Sequence, residues 1–159
     1  MRSTTLLWVM FCGLAFSGWA QAQTWKSPWV FNSATYVSQA NSCGESWQTL
    51  DIPEAGEHLY GPLVVYRAVH SAPVSRLNRP WAVQVLPQFS FLDFSVWVCS
   101  DHIGTALYNC WDASDNGPGM ANNVSVPGFY TTSWYVVVAS NVLNQSQNCG
   151  PFTLIAVEQ

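Results

Sequence analysis

Residues 91–99 read Phe-Leu-Asp-Phe-Ser-Val-Trp-Val-Cys, and this stretch indicates the fold class. An apolar side chain occupies every second position from Leu92 to Val98, which is the two-residue period of a β-strand. The opposite face, from Asp93 to Trp97, mixes polar residues with a tryptophan. The pattern predicts a strand that turns at least one face towards an apolar core.

Four more short runs on either side of this stretch are rich in the apolar and aromatic residues that favour strands. They are Leu63–Val69, Trp81–Leu86, Ser133–Ala139 and Phe152–Val157. Clusters of Gly, Pro, Asn and Asp separate them, including a predicted turn at Asp101–Gly104, and no apolar period of 3.6 residues is long enough to predict a helix. The sequence therefore predicts an all-β chain folded as an antiparallel β-sandwich. Residues Trp25–Gln48 are interpreted as either an opening edge strand or an arm across the sandwich.

Length and charge limit the function classes. The chain has 159 residues, of which 49% are hydrophobic and 9% charged, and this length is typical of one domain. So few charges argue against a helical bundle, a coiled coil or a charge-driven disordered protein. Nine acidic residues against five basic ones argue against a nucleic-acid partner.

The N-terminus has the pattern of a secretory signal peptide. Arg2 is followed by the apolar run Leu6–Phe16 and then by Ala20-Gln21-Ala22, a typical cleavage pattern. A helix over that run would span about 16 Å, well short of the ~30 Å hydrocarbon core of a bilayer. We expect residues 1–22 to be removed. The mature chain 23–159 would then be one secreted, extracellular or periplasmic domain without a membrane span, comprising an N-terminal arm or edge strands (23–59) and a body (60–159).

Export would leave four cysteines: Cys43, Cys99, Cys110 and Cys149. An even number in an exported chain predicts two disulfides, for which three pairings are possible. Cys99 and Cys110 flank a short predicted turn, so a bridge across a hairpin is favoured and Cys43 is left to pair with Cys149. There is no Cys-x-x-Cys motif to indicate a redox-active or zinc-binding pair.

Several stretches between Leu63 and Val157 have a common pattern. They are Val65–Ala68, Trp81–Val85, Leu92–Cys99, Cys110–Gly119, Pro127–Tyr130 followed by Trp134–Val138, and Cys149–Leu154. Together they resemble the bacterial pre-peptidase C-terminal domain, a small jelly-roll-like β-sandwich attached to many secreted enzymes. The chain departs from that pattern at Thr131–Ser133, which separates Gly-Phe-Tyr from the valine-rich strand. The resemblance implies an extracellular accessory fold without catalysis of its own.

Catalytic signatures are missing from the sequence. Neither the nucleophile motif Gly-x-Ser-x-Gly nor the zinc motif His-Glu-x-x-His occurs, and the three histidines are scattered. Glu54 with Glu57, and Asp112 with Asp115, are acid pairs in predicted loops, but a glycosidase needs two carboxylates that face each other across a cleft. We therefore predict no catalytic residue.

One segment has the spacing of a metal loop. Asp112, Ser114 and Asn116 stand at positions 1, 3 and 5 of a stretch with Gly117 at position 6, as in the first half of a calcium-binding loop. The twelfth position is Asn123 instead of the glutamate that would close such a site. The alternative is a solvated turn whose side chains bond the local backbone. Calcium is the single candidate cofactor.

Seven tryptophans follow the predicted cleavage site. An exposed tryptophan can stack on a sugar ring or anchor a protein interface. Trp97, opposite an apolar face, and Trp111 are the candidate binding residues, and the alternative is that the tryptophans belong to the core. We expect a non-catalytic domain that binds an extracellular protein, a glycan or an envelope surface. The alternatives are a structural subunit that assembles by strand exchange through Trp25–Val37, and a small secreted hydrolase.

Overall fold

The computed structural model describes residues 27–45, 47–69, 79–112, 116–127, 133–140 and 149–159. The predicted signal peptide lies outside these ranges. Within them the chain forms ten strands and one short 3-10 turn, Ser42–Gly44. The strands are β1 (Trp29–Phe31), β2 (Thr35–Asn41), β3 (Trp47–Ile52), β4 (Glu57–Val69), β5 (Trp81–Pro87), β6 (Phe94–Ile103), β7 (Ala106–Asp112), β8 (Asn122–Val126), β9 (Ser133–Ser140) and β10 (Pro151–Glu158).

The strands form two sheets that pack as a sandwich, which confirms the predicted fold class. One sheet has six strands in the order β1-β4-β3-β7-β6-β9, and the other has four in the order β2-β10-β5-β8. Neighbouring strands are antiparallel, apart from the parallel pairs β1–β4 and β3–β7. The sequence predicted the antiparallel majority and neither of the parallel contacts.

The six-stranded sheet curls until five of its strands form a ring. The first half of β4 pairs with β3 as far as Pro62, and its second half pairs with β9 from Leu63 onwards. Strands β9, β6 and β7 continue the ring, which closes where Asp51 of β3 lies beside Ala106 of β7. Gly61 lies just before the switch with φ at 148°, a conformation that favours glycine.

The curled sheet produces two apolar cores. The inter-sheet core fills the space between the two sheets, and the ring core fills the inside of the ring. Strands β4, β6 and β9 contribute alternate residues to both, because side chains of a strand point to opposite faces in turn. The fully buried side chains in the inter-sheet core include Val64, Tyr66, Trp81, Phe94, Val136 and Phe152. Those of the ring core include Leu50, Ile52, Leu63, Val65, Leu107 and Val137.

The N-terminal segment contributes an edge strand to each of the two sheets. Strand β1 pairs with β4 at the edge of the six-stranded sheet, and β2 pairs with β10 at the edge of the four-stranded sheet. Phe31 is 4% exposed, stacks on Tyr36 with ring centres 4.4 Å apart, and meets Trp134 edge to face at 5.7 Å. The described part of the predicted arm therefore provides edge strands and also crosses from one sheet to the other.

Strand β7 contains a break in its alternation. Leu107 and Cys110 both face the ring core although they are three residues apart, which a regular strand does not allow. Between them Asn109 adopts φ of 50°, a left-handed conformation that asparagine tolerates better than most residues. Its backbone N–H donates to Glu54 Oε2 at 2.8 Å. The pairing of β6 with β7 keeps one register on both sides of this irregularity, from Trp97 opposite Asp112 to Ile103 opposite Ala106.

Both predicted disulfides are present. Cys99–Cys110 joins directly opposed positions of β6 and β7 and faces the ring core. Cys43–Cys149 joins the 3-10 turn after β2 to the segment before β10. Beside it, the Ser42 N–H donates to the Gly150 carbonyl oxygen at 3.0 Å. The second bridge therefore fastens the edge strand β2 to its neighbour.

The predicted strand over residues 91–99 is displaced in the structure. It begins at Phe94, because the Leu92 N–H donates to the Phe89 carbonyl oxygen and closes a turn before it. It ends at Ile103, so that Asp101–Ile103, predicted as part of a turn, belongs to the strand. The two-residue alternation is confirmed over Phe94–Val98, where both faces are covered by a core.

Candidate functional site

The outer surface of the β3–β4 hairpin is the candidate site. Antiparallel pairing places Trp47 opposite Pro62, Thr49 opposite Tyr60, and Asp51 opposite His58. The alternate residues Leu50, Ile52 and Leu59 point into the ring core, so these three pairs lie on the outside of the ring. The surface formed by Trp47, Thr49, Asp51, His58 and Tyr60 is called the hairpin face; Pro62, opposite Trp47, is buried.

A tight turn holds the two strands of the hairpin in register. The turn over Pro53–Gly56 is closed by the Ala55 N–H bonding to the Ile52 carbonyl and by the Gly56 N–H bonding to the Pro53 carbonyl. Gly56 has φ of 69°, which glycine adopts without the steric cost a side chain would impose. The turn and the buried residues beneath it fix which residues lie opposite each other on the hairpin face.

Two aromatic rings dominate the hairpin face. Trp47 is 56% exposed and Tyr60 is 60% exposed. Their ring centres are 5.2 Å apart with an interplanar angle of 62°, an edge-to-face contact. Each ring thus limits the motion of the other while both keep a large exposed area. Such pre-ordered rings lose little conformational entropy when a ligand packs on them.

A hydrogen-bonded Asp–His pair lies next to the rings. His58 Nδ1 contacts Asp51 Oδ1, and both side chains are largely exposed. Because Nδ1 is engaged by the carboxylate, Nε2 is the ring nitrogen left to meet a ligand. On the hairpin face, Asp51 and His58 are the next opposed pair along the strands after Thr49 and Tyr60. A ligand on the rings would therefore find hydroxyl, carboxylate and imidazole groups within reach.

The charge around the hairpin face is acidic. Asp51 lies on it, and Glu54 and Glu57 lie in or beside the turn that ends the hairpin. Both glutamate side chains are exposed, and Glu54 accepts a hydrogen bond from the Asn109 N–H. Such a surface repels anions at short range and suits an uncharged or basic ligand.

The predicted binding residues Trp97 and Trp111 are not on the hairpin face. Both are half-buried, Trp97 against the ring core and Trp111 against the inter-sheet core. They lie on opposite faces of the β6–β7 pair, so the structure does not bring them together on one surface. A binding role for either residue stays a prediction.

The predicted calcium loop is described only in part. Asp112 ends β7 with an exposed side chain, and Ser114 lies outside the described residues. The Asn116 side-chain amide donates to the Ala121 carbonyl at 2.7 Å, as the alternative of a backbone-bonded turn expects. Over the described ranges, no three His, Cys, Asp or Glu side chains are grouped to hold a metal ion. Calcium binding stays a prediction.

A second exposed aromatic pair lies in the loop between β5 and β6. Phe89 and Phe91 stack with ring centres 5.5 Å apart and nearly parallel planes, and they are 50% and 61% exposed. Gly119 approaches the same loop so closely that a β-carbon on it would lie 2.6 Å from the Ser90 backbone. These rings lie in a different loop from the hairpin face, which makes Phe91 a useful control position.

Comparisons with known proteins do not identify a family for this chain. No protein-family model and no curated protein matches this chain. The resemblance to the pre-peptidase C-terminal domain therefore stays a prediction. In the part of the chain that the structure describes, no helix has the length and apolar character needed to cross a membrane.

Proposed function

We propose that this chain is a secreted, non-catalytic binding domain whose hairpin face recognises an uncharged glycan on an extracellular or envelope surface. The observation that carries the proposal is the exposed Trp47–Tyr60 pair beside the Asp51–His58 pair. The apolar face of a sugar ring packs on aromatic rings, and its hydroxyl groups bond to carboxylate, imidazole and hydroxyl groups. All three kinds of polar group occur on the hairpin face.

The dimensions of the hairpin face favour an extended ligand. Trp47 and Asp51 are four residues apart on β3, which corresponds to about 13 Å at ~3.3 Å per residue. The surface is an open strand face, and its polar groups are in contact with solvent. It suits a chain of sugar units lying along the strands better than a small molecule enclosed in a cavity.

Exposure of the Asp–His pair supports binding over catalysis. A general acid or base works best where water is excluded and where its pKa is matched to the reaction. The side chains of His58 and Asp51 are 64% and 43% exposed. Secretion is supported by the signal-like N-terminus and by two disulfides, which persist in oxidising compartments.

A glycan array probed with the mature chain, followed by titration of the glycans it retains, tests the proposal. We expect Trp47→Ala and Tyr60→Ala each to weaken binding at least about tenfold, the equivalent of about 1.4 kcal/mol. Phe91→Ala removes an equally exposed aromatic ring from another loop and should leave affinity unchanged. Saturable binding that survives both hairpin substitutions would place the site elsewhere.

The same material distinguishes binding from hydrolysis. The retained glycan and a panel of ester and peptide substrates are incubated with the protein, and products are measured. We expect no turnover. Turnover that disappears in Asp51→Asn or His58→Ala would instead establish the secreted hydrolase. Assembly that increases with protein concentration would favour the structural subunit.

A further inference from the structure

Arg67 is an unusual cation in this chain. Acidic residues outnumber basic ones by nine to five, so carboxylates are in excess. Arg79 follows the expected pattern, with its Nε 3.2 Å from Glu158 Oε1. Arg67 makes no salt bridge with any carboxylate in the described ranges, although it is half-buried. Arginines are almost never fully buried without a partner, because removing a charge from water is costly, and in Arg67 the Nε is enclosed.

The surroundings of Arg67 hold its guanidinium in place. Arg67 lies opposite Tyr135 in the β4–β9 pairing, and its Cζ is 5.9 Å from the centre of the Tyr135 ring. Its Nη2 donates to Ser133 Oγ at 3.4 Å, a long bond. The His102 ring meets the same tyrosine ring edge to face at 5.3 Å. Strands β4, β6 and β9 therefore place an arginine, a histidine and a serine hydroxyl around the buried aromatic ring of Tyr135.

Within the described part of the chain, little of the hydrogen-bonding capacity of Arg67 is used. A guanidinium has five N–H donors and no acceptor. Among the residues that the structure describes, the buried Nε has no hydrogen-bond partner, and Nη2 makes a single, long bond. Since Nε is enclosed, the terminal nitrogens are the ones that a ligand can approach. They form a flat fork that matches the two oxygens of a carboxylate.

The local charge favours a carboxylate over a dianion. Asp101 neighbours His102 in β6, and its Oδ1 accepts from the His102 backbone N–H at 2.7 Å. This exposed carboxylate lowers the positive potential near the imidazole. One guanidinium balances the single charge of a carboxylate but only half the charge of a dianion, and the repulsion from Asp101 is also greater for the dianion.

We propose that Arg67, together with Ser133 and His102, forms a subsite for a carboxylate group beside the side chain of Tyr135. The subsite lies at the end of the five-stranded ring, where β4 ends and β9 begins. The carboxylate accepts from the terminal guanidinium nitrogens and lies near the Ser133 hydroxyl. This subsite is distinct from the hairpin face, where the acidic surroundings disfavour anions, and it does not depend on the glycan proposal.

Titration of the mature chain with sodium acetate, followed by ¹H–¹⁵N NMR at constant ionic strength, tests the subsite. We expect saturable shifts in the Tyr135 and His102 amide signals and in the Arg67 side-chain signal. Arg67→Gln should weaken acetate binding at least about tenfold, because the charge and the fork are both lost. Arg67→Lys keeps the charge without the fork and should give an intermediate affinity. Arg79→Gln is the matched control and should bind as the unaltered protein does.

Two outcomes would overturn the proposal. One is shifts that rise linearly without saturation in the unaltered protein, and the other is equal acetate affinity in Arg67→Gln. If Arg67→Gln does not fold, His102→Ala, which changes an exposed side chain, replaces it and should still weaken binding. Sodium sulfate is titrated in parallel, and sulfate binding as tight as acetate binding would contradict the carboxylate assignment.

Discussion

Asn109 and Glu54 form a polar contact between β7 and the turn of the β3–β4 hairpin. The Asn109 N–H, within a left-handed backbone, donates to Glu54 Oε2. Glu54→Ala should lower the free energy of unfolding by about 1–2 kcal/mol, because the N–H loses a charged acceptor. Asn109→Gly should be tolerated, whereas Asn109→Val should destabilise by roughly 1–3 kcal/mol because a β-branched residue resists positive φ. Urea denaturation measures these changes.

The exposed neighbour Glu57 provides the control for that experiment. Glu57→Ala removes an equal charge from the first residue of β4, next to the turn, and leaves the bond between Asn109 and Glu54 in place. It should alter stability by less than about 0.5 kcal/mol, as substitutions on the surface usually do. Equal losses in Glu54→Ala and Glu57→Ala would mean that general charge, and not the contact with Asn109, is responsible.

Because the hydroxyl of Tyr66 is buried, we expect the protein to lose stability in alkaline solution. Burial raises the pKa of the Tyr66 hydroxyl well above its ordinary value of 10.0, and the smaller effect of the Ser38 hydroxyl is in the opposite direction. Above about pH 10 the unfolded chain loses this proton while the folded chain keeps it. Stability should therefore be unaffected by this group below pH 10 and fall by up to about 1.4 kcal/mol per pH unit above it.

Paired denaturation curves near neutrality and above pH 10 measure that loss. Tyr66→Phe has no proton to release and should show a smaller alkaline decrease than the unaltered protein. The exposed Tyr60 serves as the comparison, since Tyr60→Phe should leave the decrease in place. Identical pH profiles for the unaltered protein and Tyr66→Phe would contradict the prediction.

At the level of strands, the two disulfides close loops of very different length. Cys43–Cys149 spans 106 residues and Cys99–Cys110 spans 11. If the bridges act by restricting the unfolded chain, removal of the long one should cost about 4.7 kcal/mol and removal of the short one about 3 kcal/mol. Replacing both cysteines of each bridge by alanine, with urea denaturation of each double variant, checks the order. A larger loss from the short bridge would show that packing in the ring core outweighs loop length.

The strands that could be predicted from the sequence are those with continuous or strictly alternating apolar residues. Strands β5, β9 and β10 match their predicted runs to within a residue at each end. Strands β2, β3, β7 and β8 are difficult to assign individually from the sequence, because their polar residues resemble those of loops. In β2 exposed and half-buried positions simply alternate, and in β7 the left-handed Asn109 breaks the period.

The candidate site was harder to predict than the fold. The alternation of residues correctly placed Trp97 on the strand face opposite the apolar one. The sheet curls around Gly61 and Pro62, however, so that the face of β6 that carries Trp97 packs against a second core. This cover comes from distant residues, and local periodicity carries no information about it. The contact between Trp47 and Tyr60 can be predicted only when the register of the β3–β4 hairpin is known. The alternation of Trp47, Thr49 and Asp51 before the Pro53–Gly56 turn was the one available signal.

For the whole molecule, the two cores should unfold together. Strands β4, β6 and β9 contribute to both, so neither core can lose its packing while the other keeps its own. Val136→Ala in the inter-sheet core and Val137→Ala in the ring core should each destabilise by roughly 1–3 kcal/mol. Each variant should retain a single transition, with tryptophan fluorescence and far-ultraviolet circular dichroism coinciding. Separate transitions in Val137→Ala would show that the ring is an independent unit.

The central position of β9 also has a consequence for motion. Its backbone is flanked by β4 on one side and β6 on the other, and both of its faces are covered. The amide hydrogens of Val136–Val138 should therefore exchange with deuterated solvent only when the entire domain opens, whereas those of the three-residue edge strand β1 should exchange through local fraying. A single labelling experiment would then read the global stability from β9 and, from β1, how often the N-terminal edge detaches.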